Sequence, residues 1–145
     1  MQGEGKDIGK LQVFLRFSGC NQSCSWCDTT YHNEGKMLSE SQIIDKIEEV
    51  SKNTKDVFLT GGEPLCQNVC SLINNLKNNG YKVILQTNGT ILEKDAFNSV
   101  DFLSIDCKTP SSNVTPNDEV FDYVLSNKTL DFQIIALLFL FRELL

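Results

Sequence analysis

The sequence lacks the features that mark membrane, secreted and nucleic-acid-binding proteins. Its longest apolar run, Ile134–Phe141, has eight residues, whereas a membrane-spanning helix needs about 20. The first ten residues are polar and rich in glycine, unlike a secretory signal. Positive charge is scarce, because 13 lysines and arginines stand against 19 acidic residues, for a net charge of -6. Such a surface repels phosphate backbones. We therefore expect a cytoplasmic protein with no direct nucleic-acid partner and no membrane partner.

The sequence also lacks a fixed-period repeat, a low-complexity tract and an interdomain linker. An eight-unit (β/α) barrel takes about 250 residues, or roughly 30 per unit. The 145 residues of this chain therefore correspond to about four or five units. We expect one domain over residues 1–145, too short for a closed eight-stranded barrel.

Strand-like and helix-like segments alternate along the chain, which predicts an α/β fold with a parallel sheet. Runs rich in strand formers predict five strands, at Gln12–Phe17, Asp56–Thr60, Tyr81–Gln86, Asp101–Asp106 and Leu130–Leu137. Apolar residues at helical spacing predict helices between them, starting at a capping box in Ser39–Gln42 and covering Val69–Leu76, Glu93–Asn98 and Asp118–Leu125.

Three cysteines in one loop indicate a metal centre. Cys20, Cys24 and Cys27 follow the first strand in the spacing C-x3-C-x2-C. Structural zinc usually takes four ligands, and His32, the single histidine, is a candidate fourth. A [4Fe–4S] cluster held by three thiolates would instead leave one iron open to a small molecule.

Three further motifs follow the later strands. They are Thr60-Gly61-Gly62-Glu63-Pro64, Gln86-Thr87-Asn88-Gly89 and Asp106-Cys107-Lys108. The carboxyl ends of parallel strands meet at one edge of the sheet, where α/β folds bind their ligands. The four motifs are therefore expected to share one mouth, where the paired glycines would let backbone approach a ligand closely.

The cysteine spacing, with an aromatic residue (Trp26) before the last cysteine, resembles the signature of the radical S-adenosylmethionine (SAM) family. Gly61-Gly62-Glu63-Pro64 is similar to the family's motif that binds the amino group of SAM. The resemblance implies a partial (β/α) barrel of radical SAM type, a [4Fe–4S] cluster and SAM.

Within that family, the chain resembles the 7-carboxy-7-deazaguanine synthases from Gln2 to about Ser112. The similarity is carried by Gln2-Gly3-Glu4-Gly5, Val13–Arg16, Gly19-Cys20 and Cys24–Thr29. It implies a lyase of queuosine or archaeosine biosynthesis that converts 6-carboxy-5,6,7,8-tetrahydropterin to 7-carboxy-7-deazaguanine with loss of ammonia. It also implies Mg2+ and an electron donor of flavodoxin or ferredoxin type.

The resemblance assigns roles to individual residues. Cluster ligands would be Cys20, Cys24 and Cys27, and Thr29 would bind Mg2+. SAM would contact Trp26, Cys27, Asp28, Gly62, Asp106, Cys107 and Lys108. The pterin substrate would contact Gln2, Gly3, Arg16 and Thr60. Arg16 also stands out without the resemblance, because a guanidinium on an apolar strand can fork onto a carboxylate.

Some residues depart from the family pattern. Gln86 stands where glutamate is frequent. The family begins with a strand before Gln2-Gly3-Glu4-Gly5, for which this sequence has no counterpart, and the match ends after Ile134. We therefore expect a domain incomplete at both ends with a divergent apolar tail, Ile134–Leu145. Such a tail beside an unpaired sheet edge favours aggregation or a homodimer.

Other functions stay open from the sequence. A radical SAM protein of the glycyl-radical activating type also uses C-x3-C-x2-C, and a non-catalytic metal-binding remnant would keep the cysteines. Cys66 and Cys70, four positions apart, could share a helix face and with Cys107 hold a second metal.

Overall fold

The computed structural model describes residues 1–25, 27–29, 33–108, 112 and 114–136. Trp26, His32 and the part of the tail beyond Ala136 lie outside them. All five predicted strands form, as β1 (Val13–Phe17), β2 (Asp56–Gly61), β3 (Lys82–Thr87), β4 (Phe102–Cys107) and β5 (Phe132–Ala136). They pair in parallel in chain order, which confirms the predicted α/β class.

The predicted helices also form, as α1 (Glu40–Val50), α2 (Cys70–Asn78), α3 (Lys94–Ser99) and α4 (Asp118–Ser126). The capping box is present at α1: Ser39 Oγ accepts from the backbone N–H of Gln42, and the Gln42 side chain accepts from that of Ser39. These two bonds satisfy amides that the helix itself leaves unpaired. Two 3-10 turns, Gly5–Asp7 and Pro64–Cys66, were not predicted. In the described part of the chain, no helix is long and apolar enough to span a membrane.

All four helices cover one face of the sheet. Alternate strand residues point to this helix face, among them Val57, Leu59, Val83, Leu85, Leu103 and Ile105, each 0% exposed. They pack against buried helix residues, which include Ile47, Leu72, Ile73, Leu76, Phe97 and Val120. The helix face therefore holds the main hydrophobic core.

The intervening strand residues form the opposite face, which we call the open face. Phe14, Phe58, Ile84 and Phe102 make a small separate apolar cluster there, to which no described helix contributes. The N-terminal segment crosses this face: Lys6 Nζ lies 3.5 Å from the centroid of the Phe102 ring, and the Lys6 backbone N–H donates to Gln133 Oε1 at 2.9 Å. The N-terminal segment thus covers part of the open face, and the part at the carboxyl ends of the strands is available for a binding site.

Candidate active site

A cleft of about 1020 Å³ occupies the open face at the carboxyl ends of the strands. Every strand and the cysteine loop contribute to its wall, so the four sequence motifs do share one mouth. Twelve of the fourteen residues assigned by resemblance line it: Gln2, Gly3, Arg16, Cys20, Cys24, Cys27, Asp28, Thr29, Thr60, Gly62, Asp106 and Lys108. Of the other two, Trp26 lies outside the described residues, and Cys107 is not part of the wall.

The position of Cys107 follows from strand geometry. Successive side chains of β4 alternate between the two faces, so Asp106 points into the cleft and Cys107 points to the helix face. The prediction of Cys107 as a SAM contact can therefore hold only through its backbone.

Polar side chains in register on neighbouring strands form a row on the open face, and three of them, Arg16, Thr60 and Gln86, belong to the cleft wall. Arg16 of β1 is in register with Thr60 of β2, and Thr60 Oγ1 donates to Gln86 Oε1 of β3 at 2.8 Å. The row continues through Ser104 to Gln133 of β5, whose Nε2 donates to Ser104 Oγ at 3.0 Å. Gln86 stood in a motif expected at this mouth but had no assigned role, and the alternation of side chains on β3 was the signal that could have marked it as part of the cleft wall.

Arg16 is the charged member of that row. Its guanidinium is exposed and lies 5.9 Å from the centroid of the Phe14 ring. Among the described residues, no carboxylate forms an ion pair with it. The side chain can therefore offer its donors to an anionic ligand in the cleft.

Gln2 shapes the N-terminal wall. Its side chain is buried, and Oε1 accepts from the backbone N–H groups of Gly3 and Glu4 at 2.8 and 3.2 Å. The carbonyl oxygen is thus committed to the turn. Only the amide nitrogen of Gln2 is left to face a ligand.

The paired glycines serve a contact that the sequence did not reveal. A side chain on Gly62 would collide with the carbonyl of Gly19, and one on Gly61 with the backbone of Phe17. The chain here is tied down by bonds from Gly62 N to Phe17 O at 3.0 Å and from Glu63 N to Gly19 O at 2.8 Å. The two glycines therefore allow close contact with the end of β1 and with the cysteine loop, while the approach of their backbone to a ligand stays a prediction; Gly62 also lines the cleft.

Glu63 lies fully buried beneath this contact. Oε1 accepts from Leu65 N at 3.1 Å and Oε2 from Asn88 N at 2.7 Å, so one carboxylate links the ends of β2 and β3. Burial raises the pKa of Glu63, and the hydrogen bonds from Asn88 and Leu65 offset this only in part. The sequence had placed Glu63 in a motif without assigning it a role.

The three cysteines of the loop face the same cleft, Cys20 and Cys24 half-buried and Cys27 exposed. Burial raises the pKa of the Cys24 thiol; nearby Lys108 opposes this, and Cys20 and Cys27 add to it. The backbone holds two of the three cysteines near each other, since Cys27 N donates to Cys24 O at 3.2 Å. In the described residues, no three Cys, His, Asp or Glu side chains are already gathered closely enough to hold a metal.

The donor chemistry nevertheless fits an iron–sulfur cluster. The other three cysteines are absent from the wall of the cleft, so it offers three soft thiols and no fourth. Cys66 lies in a 3-10 turn and Cys70 begins α2, so the idea that they share a helix face is wrong.

Oxygen ligands lie beside the last cysteine. Thr29 is buried, and its hydroxyl donates to Asp28 Oδ1 at 3.2 Å. Across the cleft, Lys108 Nζ pairs with Asp106 Oδ2, while Asp106 Oδ1 is buried and has no hydrogen-bond partner among the described residues. Hard oxygen donors of this kind suit Mg2+, and the unpaired Asp106 oxygen can accept from a ligand hydroxyl.

Comparison with known proteins gives consistent matches. A family model described as "Radical SAM superfamily" matches residues 15–122. Curated proteins named 7-carboxy-7-deazaguanine synthase are 32% identical in Bacillus subtilis (88% of this chain, 55% of that protein) and 34% identical in Clostridium acetobutylicum (88% and 61%). The protein of that name in Haemophilus influenzae is 42% identical over 61% of this chain and 41% of its own length. The chain thus spans about half the length of the curated relatives it matches.

The fold has a counterpart among solved structures. The crystal structure of QueE from Escherichia coli superposes with a TM-score of 0.65 and 18% sequence identity, covering 94% of this chain and 80% of that one. At this identity the likeness concerns the fold, and it agrees with the five-stranded parallel sheet and its alternating helices.

Proposed function

Because the chain belongs to the radical SAM superfamily, we propose that it has the activity of a 7-carboxy-7-deazaguanine synthase. In this reaction 6-carboxy-5,6,7,8-tetrahydropterin becomes 7-carboxy-7-deazaguanine with loss of ammonia. One observation carries the proposal: the three cysteines face the same cleft as Arg16, Thr60 and Gln86. The names of the curated relatives support this reaction over activation of a glycyl radical.

In this proposal Cys20, Cys24 and Cys27 hold a [4Fe–4S] cluster, with one iron left for SAM. When bound, the cluster and SAM supply a hydrogen-abstracting radical by one-electron reductive cleavage. The protein contributes binding and orientation. Asp106 would accept from a SAM hydroxyl through Oδ1, and Gly62 and Asp28 would contact SAM from the opposite side of the cleft.

The substrate would lie on the polar row. The Arg16 guanidinium can form paired hydrogen bonds with the substrate carboxylate. Thr60 and Gln86, already bonded to each other, would meet polar atoms of the pterin ring, and the turn at Gln2 and Gly3 would close the site. Thr29 would bind Mg2+ through its hydroxyl oxygen, a ligand type that this hard cation accepts.

Partners and location belong to the same proposal. The reaction needs one electron, so an electron donor of flavodoxin or ferredoxin type is expected, and a reducing cytoplasm would suit six free cysteines. A homodimer would cover the outer edge of β5.

The test is anaerobic reconstitution of the full chain with iron and sulfide, followed by incubation with SAM, dithionite and the pterin. We expect 7-carboxy-7-deazaguanine by mass spectrometry, and its yield should rise with added Mg2+. If the loaded protein cleaves SAM to 5′-deoxyadenosine but forms no deazapurine, the synthase assignment fails while the superfamily assignment stands.

A further inference from the structure

Asn88, at the end of β3, reaches across the cleft to the cysteine loop. Its side chain is only 8% exposed. The amide nitrogen Nδ2 lies 2.9 Å from Asn21 Oδ1, to which it donates, and 4.0 Å from Cys20 Sγ. A single amide therefore contacts both Cys20 and the residue next to it.

The rest of Asn88 is held firmly in place. Its backbone N–H donates to the buried Glu63 carboxylate at 2.7 Å. Its Oδ1 accepts from the Thr90 backbone N–H at 3.0 Å and from Thr90 Oγ1 at 2.6 Å. These bonds fix the orientation of the amide, because Oδ1 is occupied by donors and Nδ2 must point toward the loop.

The loop residue is also held from the other side. Asn21 Nδ2 donates to Thr90 Oγ1 at 2.9 Å, so Asn21, Asn88 and Thr90 form a closed set of hydrogen bonds. Cys20 Sγ receives a second N–H, from the Gln22 backbone, at 3.4 Å. The sulfur of Cys20 is therefore approached by two N–H dipoles.

We propose that Asn88 is a positioning residue for Cys20 as a ligand of the iron–sulfur cluster. Its amide holds Asn21 and directs an N–H at the Cys20 sulfur. Hydrogen bonds to cluster sulfurs are among the factors that set the reduction potential, because they stabilise the more negative, reduced form. This inference rests on the proposed cluster ligands and goes beyond them, since it assigns a residue outside the cysteine motif to tune the cluster.

Two substitutions separate the contacts of Asn88. Asn88→Asp keeps an oxygen for Thr90 and replaces the N–H donor by an acceptor. Asn88→Ser keeps a hydroxyl that can accept from the Thr90 N–H, removes the reach to Cys20 and adds no charge.

The chain supplies a matched control in Asn127. Its Oδ1 also accepts from a threonine two residues on, at 3.2 Å from Thr129 N and 2.7 Å from Thr129 Oγ1. Its Nδ2 donates to Asn98 Oδ1 at 3.2 Å, far along the chain from any cysteine of the loop. Asn127→Asp and Asn127→Ser therefore repeat the same chemistry without the contact to Cys20.

The experiment is a redox titration of the reconstituted full chain, followed by electron paramagnetic resonance, together with the rate of iron loss to a chelator. Both Asn88 variants should show a more negative midpoint potential than wild type and about tenfold weaker iron retention. Both Asn127 variants should match wild type.

Three results would overturn the inference: unchanged potentials in the Asn88 variants, a shift in Asn88→Asp alone, or equal shifts in the Asn127 variants. A wild-type chain that takes up no iron would instead refute the proposed cluster ligands.

Discussion

The two faces of one sheet differ in what their side chains do. On the helix face, Leu59, Leu85 and Ile105 are sealed from solvent by four helices. On the open face, the next residue along each of those strands is polar, as at Thr60, Gln86 and Asp106. A strand alternates its side chains between the two faces with a period of two. Of two neighbouring residues, the one on the helix face therefore stabilises the core, and the one on the open face is available for binding. Substitutions on the two faces should therefore change different measurements.

The largest expected effect is the loss of a buried ring on the helix face. Phe97 is 0% exposed and packs near Tyr123. Phe97→Ala should lower the free energy of unfolding by about 3–5 kcal/mol, read from the midpoint of urea denaturation. Phe14→Ala is the control, because Phe14 lies on the open face and is only half-buried. It should lower the free energy of unfolding by less than half as much, since the loss scales with the apolar area buried. Equal losses would remove the distinction between the faces.

A smaller effect on stability, with a large effect on metal binding, is expected at the junction of β2 with the cysteine loop. Gly62→Ala would push its new methyl group into the Gly19 carbonyl, at a cost of about 1–3 kcal/mol, and should displace Cys20. Iron uptake on reconstitution should fall sharply. Gly80→Ala is the control. It strains the backbone, because Gly80 has a positive φ of 77°, but its new methyl group would meet no other atom within 4 Å, so iron uptake should match wild type. The account is contradicted if Gly62→Ala binds iron as wild type does.

Arg16 tests the open face without touching the core. Removing the Arg16 guanidinium should cost about 1.5–3 kcal/mol of substrate binding, or roughly 10- to 140-fold in KM for the pterin. Arg16→Lys keeps the charge and should recover only part of the loss, since an ammonium cannot form the planar fork. Uncoupled cleavage of SAM, followed as 5′-deoxyadenosine, should be unchanged. A parallel loss of SAM cleavage would move Arg16 out of the substrate site.

The smallest expected effect is a change in the pH dependence of stability caused by Glu63, which links the ends of β2 and β3. Because burial raises its pKa in the folded state above the ordinary value near 4.5, the folded protein binds more protons there than the unfolded chain. The free energy of unfolding should therefore fall as pH rises from about 4.5 to the raised pKa of Glu63 in the folded protein. The slope should be at most about 1.4 kcal/mol per pH unit. Glu63→Gln, which cannot ionise, should lack this part of the slope. Parallel pH profiles for wild type and variant would contradict the assignment.

Much of the fold could be predicted because its signals are local. The strands are apolar runs, of which β2 ends at Gly61 and β3 just before Asn88, and the capping box of Ser39 and Gln42 marks the start of α1. The cysteine spacing and the motifs after each strand likewise placed most of the cleft wall, because parallel strands bring their carboxyl ends together.

The remaining features depend on contacts between distant parts of the chain. The bond between Thr60 and Gln86 needs the register of β2 with β3. The collision that requires Gly62 needs the path of the cysteine loop. The burial of Glu63 and the reach of Asn88 to Cys20 both follow from how three strand ends pack, which no local pattern encodes.

The central claim is that the cysteine loop on the open face binds an iron–sulfur cluster to which SAM coordinates. The most direct test is the iron content of the reconstituted chain together with its electron paramagnetic resonance spectrum before and after SAM. Wild type and the Cys66→Ala/Cys70→Ala control should each hold about four irons per chain, with a spectrum that changes on addition of SAM. Alanine at Cys20, Cys24 and Cys27 should abolish both the bound iron and the spectral change on addition of SAM. Iron retained without these three cysteines, or a wild-type spectrum indifferent to SAM, would contradict the account.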